Sequence, residues 1–136
     1  MPLNILYNLD KAYQDATAKK VYLDCGGYLV IEPTEALTVI DVNSGKYIGK
    51  KDNKQCISLV NRQAATMICK QLALRNISGI VIVDFINCNK EEEKELLNLM
   101  KSLTKTDKTK VVVEGFTSLG LLELTRQKIY PSIYEK

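Results

Sequence analysis

Two apolar runs that each end in an aspartate constrain this chain more than any other feature. The first is Leu37–Asn43 (Leu-Thr-Val-Ile-Asp-Val-Asn) and the second is Gly79–Asp84 (Gly-Ile-Val-Ile-Val-Asp). Both runs are typical of buried β-strands. Because side chains alternate along a strand, Asp41 and Asn43 are predicted to share one face. A carboxylate at the end of an apolar strand is costly to desolvate unless it is paired or binds a cation.

The composition indicates one globular domain. The chain has 136 residues, of which 46% are hydrophobic and 26% charged, and this length suffices for one ordinary core. The net charge of +3 permits a nucleic-acid partner without arguing for one. No apolar run approaches the roughly 20 residues of a membrane span. The first residues lack a basic stretch before a long apolar core, so no signal peptide is predicted and we expect a cytoplasmic location.

The cysteines and the lack of histidine exclude two kinds of chemistry. The four cysteines form no Cys-x-x-Cys pair, and the chain contains no histidine. Zinc sites with Cys/His spacing and acid–base catalysis by histidine are therefore excluded. The cysteines are expected to be reduced and not catalytic. They are Cys25, Cys56, Cys69 and Cys88.

The order of the predicted elements indicates an α/β fold. Short turns join the first three predicted strands, which favours an antiparallel meander. Residues 37–86 then form a strand, a long helix and a strand, and such a crossover normally makes the two strands parallel. We expect a single mixed β-sheet with helices packed on it, preceded over residues 1–20 by a helix or connector. The predicted strands cover 21–24, 28–32, 37–43, 79–86 and 111–114, and the predicted helices cover 4–19, 54–75, 90–103 and 119–128.

Helix-start signals and a basic loop lie between these elements. Asn89 is predicted to cap the helix at 90–103, and the acidic residues 91–93 suit its first turn. Asp52 with Gln55 resembles a capping box for the long helix. The polar loop 44–53 carries Lys46, Lys50 and Lys51, which are candidates for contact with a phosphate backbone.

If the two Asp-terminated strands are neighbours, Asp41, Asn43 and Asp84 converge at one edge of the sheet. Their oxygens suit Mg²⁺, which takes one or two carboxylates, several waters and substrate phosphates. This interpretation predicts metal-dependent phosphodiester chemistry, with Asn43 orienting a carboxylate or the attacking water. The alternative is that both aspartates merely cap the turns that follow their strands. The loop lysines are then simply solvated, and the chain is a non-catalytic module that binds RNA or a protein.

Seven segments spread over the chain from about residue 20 onward carry a resemblance to a known family: Gly26–Glu32, Thr34–Thr38, Ile40–Gly45, Asn61–Ala65, Gln71–Ile77, Gly79–Ile86 and Leu119–Arg126. In these segments the sequence resembles the ribonuclease E/G family of bacterial endoribonucleases. The resemblance implies a DNase I-like catalytic subdomain over 21–136, which cleaves single-stranded RNA in RNA processing and decay. It implies Mg²⁺, with Mn²⁺ as a possible substitute, held by Asp41 and Asp84 and assisted by Asn43.

The chain departs from the family pattern at several points. Asn87 stands where the family often has an aspartate, and Tyr22 stands where it usually has a tryptophan. The resemblance also implies an oligonucleotide-binding barrel before this region and a zinc-binding cysteine pair after Pro131-Ser132. Neither is present in these 136 residues, so a zinc-linked dimer is not expected and activity of these residues alone is expected to be weak.

Overall fold

A six-stranded mixed sheet forms the frame of the protein. The computed structural model describes residues 19–45 and 54–128. Residues 4–18 of the helix predicted at 4–19, Asp52 and the three loop lysines lie outside the described residues. The strand order is β1-β2-β3-β4-β6-β5. The strands are β1 (Lys20–Tyr22), β2 (Tyr28–Pro33), β3 (Thr38–Asn43), β4 (Gly79–Asp84), β5 (Val111–Phe116) and β6 (Leu122–Arg126).

The predicted pairing of the first four strands is confirmed. β1, β2 and β3 form an antiparallel meander. β3 and β4 are adjacent and parallel, and helix α1 (Lys54–Leu74) connects them in the chain. Two parallel strands need such a crossover because the chain must return from the carboxyl end of β3 to the opposite end of the sheet, where β4 begins.

In the described part of the chain, two helices cover one face of this sheet. Both α1 and α2 (Lys90–Thr104) contribute to the same core as the buried strand residues. The apolar stripe of α1 packs against the sheet, with Val60, Ala64, Ile68 and Leu72 fully buried. The buried strand residues include Leu29, Ile31, Ile40, Val42, Val81, Val83, Leu122 and Leu124.

Within the described residues, the other face of the sheet is uncovered. Val39, Ile80 and Val112 point to this side and are 36–43% exposed. We call it the open face. No helix of the described part of the chain is both long enough and apolar enough to cross a membrane.

The start of α2 and the end of α1 follow local capping rules. The predicted cap at Asn89 is confirmed as a full capping box, in which its side chain accepts a hydrogen bond from the Glu92 N–H at 2.8 Å. At the end of α1, Asn76 has φ 51. The Ile77 N–H donates to Leu72 O at 3.0 Å, which closes the last turn in a Schellman motif.

The helix predicted over 119–128 was wrong, because this segment contains strand β6. A turn precedes the strand, and in this turn the Thr117 N–H donates a hydrogen bond to Leu121 O at 2.8 Å. Leu122 and Leu124 are fully buried and alternate with more exposed residues. Four leucines within six residues fit a helical or a strand period. The strand prevails because it pairs on both sides, with β4 and β5.

Arg126, at the end of β6, joins three parts of the fold. Its guanidinium donates to Asp107 at 2.9 and 3.1 Å, and to Asn76 Oδ1 and Ile77 O at 3.0 Å each. The side chains of Arg126 and Asp107 are only 4% and 8% exposed. The pair is therefore a buried bidentate ion pair, shielded from water and geometrically well defined.

Candidate active site

Asp41 and Asp84 are direct register partners on adjacent parallel strands. Neighbouring strands lie about 5 Å apart. Both aspartates point to the open face, while their neighbours Ile40 and Val83 are fully buried on the helix side. The predicted convergence of the two carboxylates is therefore confirmed, and it follows from the parallel register.

Asn43 lies beside this pair. Its Nδ2 donates a hydrogen bond to Asp41 Oδ2 at 3.3 Å, so the two side chains share a face as alternation predicts. Partial burial, and after it the negative charge of Asp41, raises the pKa of Asp84 above its ordinary value. The two carboxylates thus repel one another, and bound positive charge would relieve that repulsion.

A buried asparagine holds the backbone that follows Asp84. Asn61, on α1, is 1% exposed. Its Nδ2 donates to Ile86 O at 2.8 Å, and its Oδ1 accepts from the Ile86 N–H at 3.0 Å. Asn87, the next residue, has φ 26. The sequence reasoning gave Asn61 no role, although a polar residue within the apolar stripe of α1 is a signal for one.

The glycine turn between β1 and β2 packs against the end of β3. A Cβ on Gly27 would lie 2.7 Å from Asn43 O and 3.2 Å from a methyl of Val60. Gly45 has φ +60, and a Cβ there would lie 2.6 Å from Gly26 O. Two of the segments that carry the family resemblance, Gly26–Glu32 and Ile40–Gly45, therefore meet beside Asn43.

The donor set fits a magnesium ion that keeps most of its water. The described residues hold no group of three or more carboxylate, thiol or imidazole side chains that could enclose a metal. Two carboxylates suffice for Mg²⁺, which keeps several waters and rarely occupies an all-protein cage. Asp41 and Asp84 would be the ligands, and Asn43 would support Asp41.

The remaining residues that the sequence singled out either have another role or lie outside the described residues. Lys46, Lys50 and Lys51 belong to the second group. The acidic run at 91–93 occupies the first turn of α2, as predicted. Burial raises the pKa of the Cys69 and Cys88 thiols to about 12 and about 11, which suppresses thiolate chemistry.

The fold and site together define an α/β domain whose parallel strands carry paired aspartates at one sheet edge. The chain belongs to the ribonuclease E/G family, because the model of that family matches residues 1–129. The family predicted from the sequence motifs is thus confirmed.

Curated relatives show the same relationship. The chain is 41% identical to ribonuclease G of Haemophilus influenzae over 97% of its length and 27% of that protein. The chain is 38% identical to ribonuclease G of Escherichia coli K12, again over 97% of the chain and 27% of that protein. Ribonuclease E of Synechocystis is 40% identical over 95% of the chain and 19% of that protein. The chain therefore spans about a fifth to a quarter of the length of these relatives.

Proposed function

We propose that this chain carries the catalytic site of an Mg²⁺-dependent endoribonuclease that cleaves single-stranded RNA in RNA processing and decay. The observation that carries the proposal is the direct register pairing of Asp41 with Asp84. Family membership supports RNA as the substrate, since the relatives are named ribonuclease G and ribonuclease E. The location that follows from this role is the cytoplasm.

Each residue of the site has a distinct task in this proposal. Asp41 and Asp84 hold the cation, and Mn²⁺ can substitute for Mg²⁺ because it also accepts carboxylate oxygens. When bound, the ion supplies activation of water and stabilisation of charge on the phosphodiester. Asn43 fixes the Asp41 carboxylate through its 3.3 Å hydrogen bond. Asn61 keeps the chain beyond Asp84 in place through Ile86.

Lys46, Lys50 and Lys51 follow β3 closely in the chain, and in this proposal they bind the RNA backbone. A lysine ammonium contacts a phosphate as a point charge and does not read the base. Their contribution should therefore be independent of RNA sequence and should weaken as salt is added.

The test combines metal binding with cleavage. Mg²⁺ and Mn²⁺ are titrated into the full chain and followed by amide NMR, comparing the natural chain with Asp41→Asn and Asp84→Asn. The matched control is Glu114→Gln, which neutralises another exposed carboxylate of the same sheet. Saturable shifts and Mn²⁺ broadening at Asp41, Asn43 and Asp84 are expected, with loss in the two aspartate variants only.

Cleavage of a single-stranded oligoribonucleotide is then measured with the same proteins. A loss of at least about a hundredfold is expected for each aspartate variant, since even supporting groups around a metal are worth about 10- to 100-fold. If Asp41→Asn cleaves RNA at the natural rate, the catalytic assignment is wrong. Binding of RNA with neither metal shifts nor cleavage would instead favour the non-catalytic RNA-binding module.

A further inference from the structure

Three side chains at the β1 end of the open face form a compact aromatic and cationic surface. The ring centroids of Tyr22 and Tyr28 are 5.8 Å apart, with the planes inclined at 52°. The ammonium of Lys20 lies over both rings, 4.2 Å from the centroid of Tyr28 and 5.2 Å from that of Tyr22. We call Lys20, Tyr22 and Tyr28 the tyrosine platform.

The platform presents aromatic surface to solvent. Tyr22 is 65% exposed, although a large aromatic side chain normally buries most of its surface. Val21, between Lys20 and Tyr22, points the other way and packs against the core. Strand alternation therefore places both platform residues of β1 on the open face. Packing in the core does not explain why a tyrosine stands at position 22.

The sheet register places the platform next to the aspartate pair. Tyr22 pairs with Tyr28, and Tyr28 pairs with Asn43. One strand spacing separates each pair, so the two tyrosines lie about 5 and 10 Å from Asn43 across the sheet. Lys20 pairs with Val30, which pairs with Asp41. A ligand lying across the strands at the aspartates reaches the platform on the same face.

The charges of this surface suit a nucleotide. Within the described residues Lys20 makes no ion pair, whereas its neighbour Lys19 is paired with Glu32 at 3.0 Å. A phosphate can therefore approach Lys20 without displacing a carboxylate. Aromatic rings stack on nucleobases of any sequence, and a basic group beside them binds the backbone. The strand pair β1 and β2 combines two aromatic rings with such a basic group.

We infer that the tyrosine platform is a nucleobase-stacking subsite for single-stranded RNA, which holds a base beside the phosphodiester placed at Asp41 and Asp84. This rests on the proposed function. A base stacks on Tyr22 and Tyr28, and Lys20 contacts the adjacent phosphate. The platform positions the RNA strand relative to the two aspartates and takes no part in the chemistry.

The test measures binding without cleavage. A fluorescein-labelled oligouridylate and an abasic oligomer of equal length are titrated into the full chain with EDTA present, and anisotropy is followed. The natural chain should bind the oligouridylate more tightly than the abasic oligomer. Tyr22→Leu should reduce that preference by about 5- to 150-fold, as expected for one stacked base. Tyr28→Leu is the second variant, and Tyr22→Phe should keep the preference.

Lysine variants separate the backbone contact from stacking. Lys20→Gln should weaken both oligomers equally, while Lys19→Gln, the matched control, should weaken neither by more than about twofold because an exposed ion pair contributes little. Circular dichroism checks that every variant is folded. Equal affinity of the natural chain for the two oligomers, or an unchanged preference in both leucine variants, would overturn the inference.

Two further outcomes are distinguishable. If Tyr22→Leu abolishes a dimer of the chain in sedimentation and leaves RNA affinity unchanged, the platform is a self-association surface and the inference is wrong. If the aspartate variants lose cleavage but the tyrosine variants bind normally, the proposed function stands and the stacking subsite does not. If the chain binds RNA with the normal dependence on the base but shows no metal site, the stacking subsite stands and the proposed function does not.

Discussion

The side-chain amide of Asn61 hydrogen-bonds both the N–H and the C=O of Ile86. This closed pair of bonds ties helix α1 to the chain two residues beyond Asp84. Because Asn61 is 1% exposed, water is poorly placed to replace it when the amide is lost. The position of one proposed metal ligand thus depends on a residue of the helix that crosses between the two aspartate strands.

Replacing Asn61 should therefore affect stability and the site together. In Asn61→Leu the partly buried N–H of Ile86 loses its partner, which costs about 1–3 kcal/mol, while Ile86 O keeps its 3.4 Å hydrogen bond from Cys88 Sγ. Urea unfolding measures the loss, and Mn²⁺ broadening at Asp84 measures the weakened site. Thr66→Ala, an exposed change on the same helix, should alter neither. An Asn61→Leu chain with natural stability and metal response would contradict this role.

The glycine turn offers a second route to the site. Gly27→Ala places a methyl 2.7 Å from Asn43 O, so the end of β3 must shift at a cost of about 1–3 kcal/mol. Gly26→Ala is the matched control, because its Cβ meets nothing within 4 Å although φ is +97. Both should lower the urea midpoint, but only Gly27→Ala should move the Asn43 amide resonances. Equal shifts in the two variants would refute the contact.

The buried ion pair of Arg126 should dominate the stability of the β6 end of the sheet. Arg126→Met leaves Asp107 buried without its partner, which is expected to cost about 3–5 kcal/mol. The exposed pair of Lys19 and Glu32 provides the comparison, and Lys19→Gln should cost less than about 1 kcal/mol. Chemical unfolding of both variants checks the contrast. A similar small loss in each would mean that the Arg126 network contributes little.

The same pair predicts a pH dependence. The hydrogen bond from Arg126 is the main cause that lowers the pKa of Asp107 below its ordinary value of 3.8. The unfolded chain then binds more protons, so stability rises with pH across this range. The stabilisation is complete above the unfolded pKa and is lost as pH falls through the folded one. Unfolding between neutral and strongly acidic pH should show this, with a shallower slope in Asp107→Asn; an equal slope would contradict it.

Cys69 should be chemically inert in the folded chain. Burial, and after it the charge of Asp107, raises the pKa of this thiol to about 12. Since the thiolate is the reactive species, alkylation by iodoacetamide at mildly alkaline pH should be at least about a hundredfold slower than in urea. Mass spectrometry of the Cys69 peptide measures both rates. Rapid labelling in the folded chain would show that the thiol is not protected.

Much of the aspartate site was predictable because it depends on local pattern. The alternation of Ile40, Asp41, Val42 and Asn43 sets which side chains share a face, and the strand–helix–strand order makes β3 and β4 parallel. The Asn89 cap was equally local. Asn61 was missed because its partners lie 25 residues away in the chain, and no short-range signal identifies which backbone groups it meets.

The sequence by itself determined the strand periods, the helix start at Asn89, the family and the meeting of Asp41 with Asp84. Tertiary structure decided that residues 122–126 form a strand between β4 and β5, and that Tyr22, Tyr28 and Lys20 meet on the open face beside Asn43. Short-range sterics set the period of a segment. The choice between helix and strand for an ambiguous segment depends on which distant partner satisfies its backbone, and that is settled only when the sheet assembles.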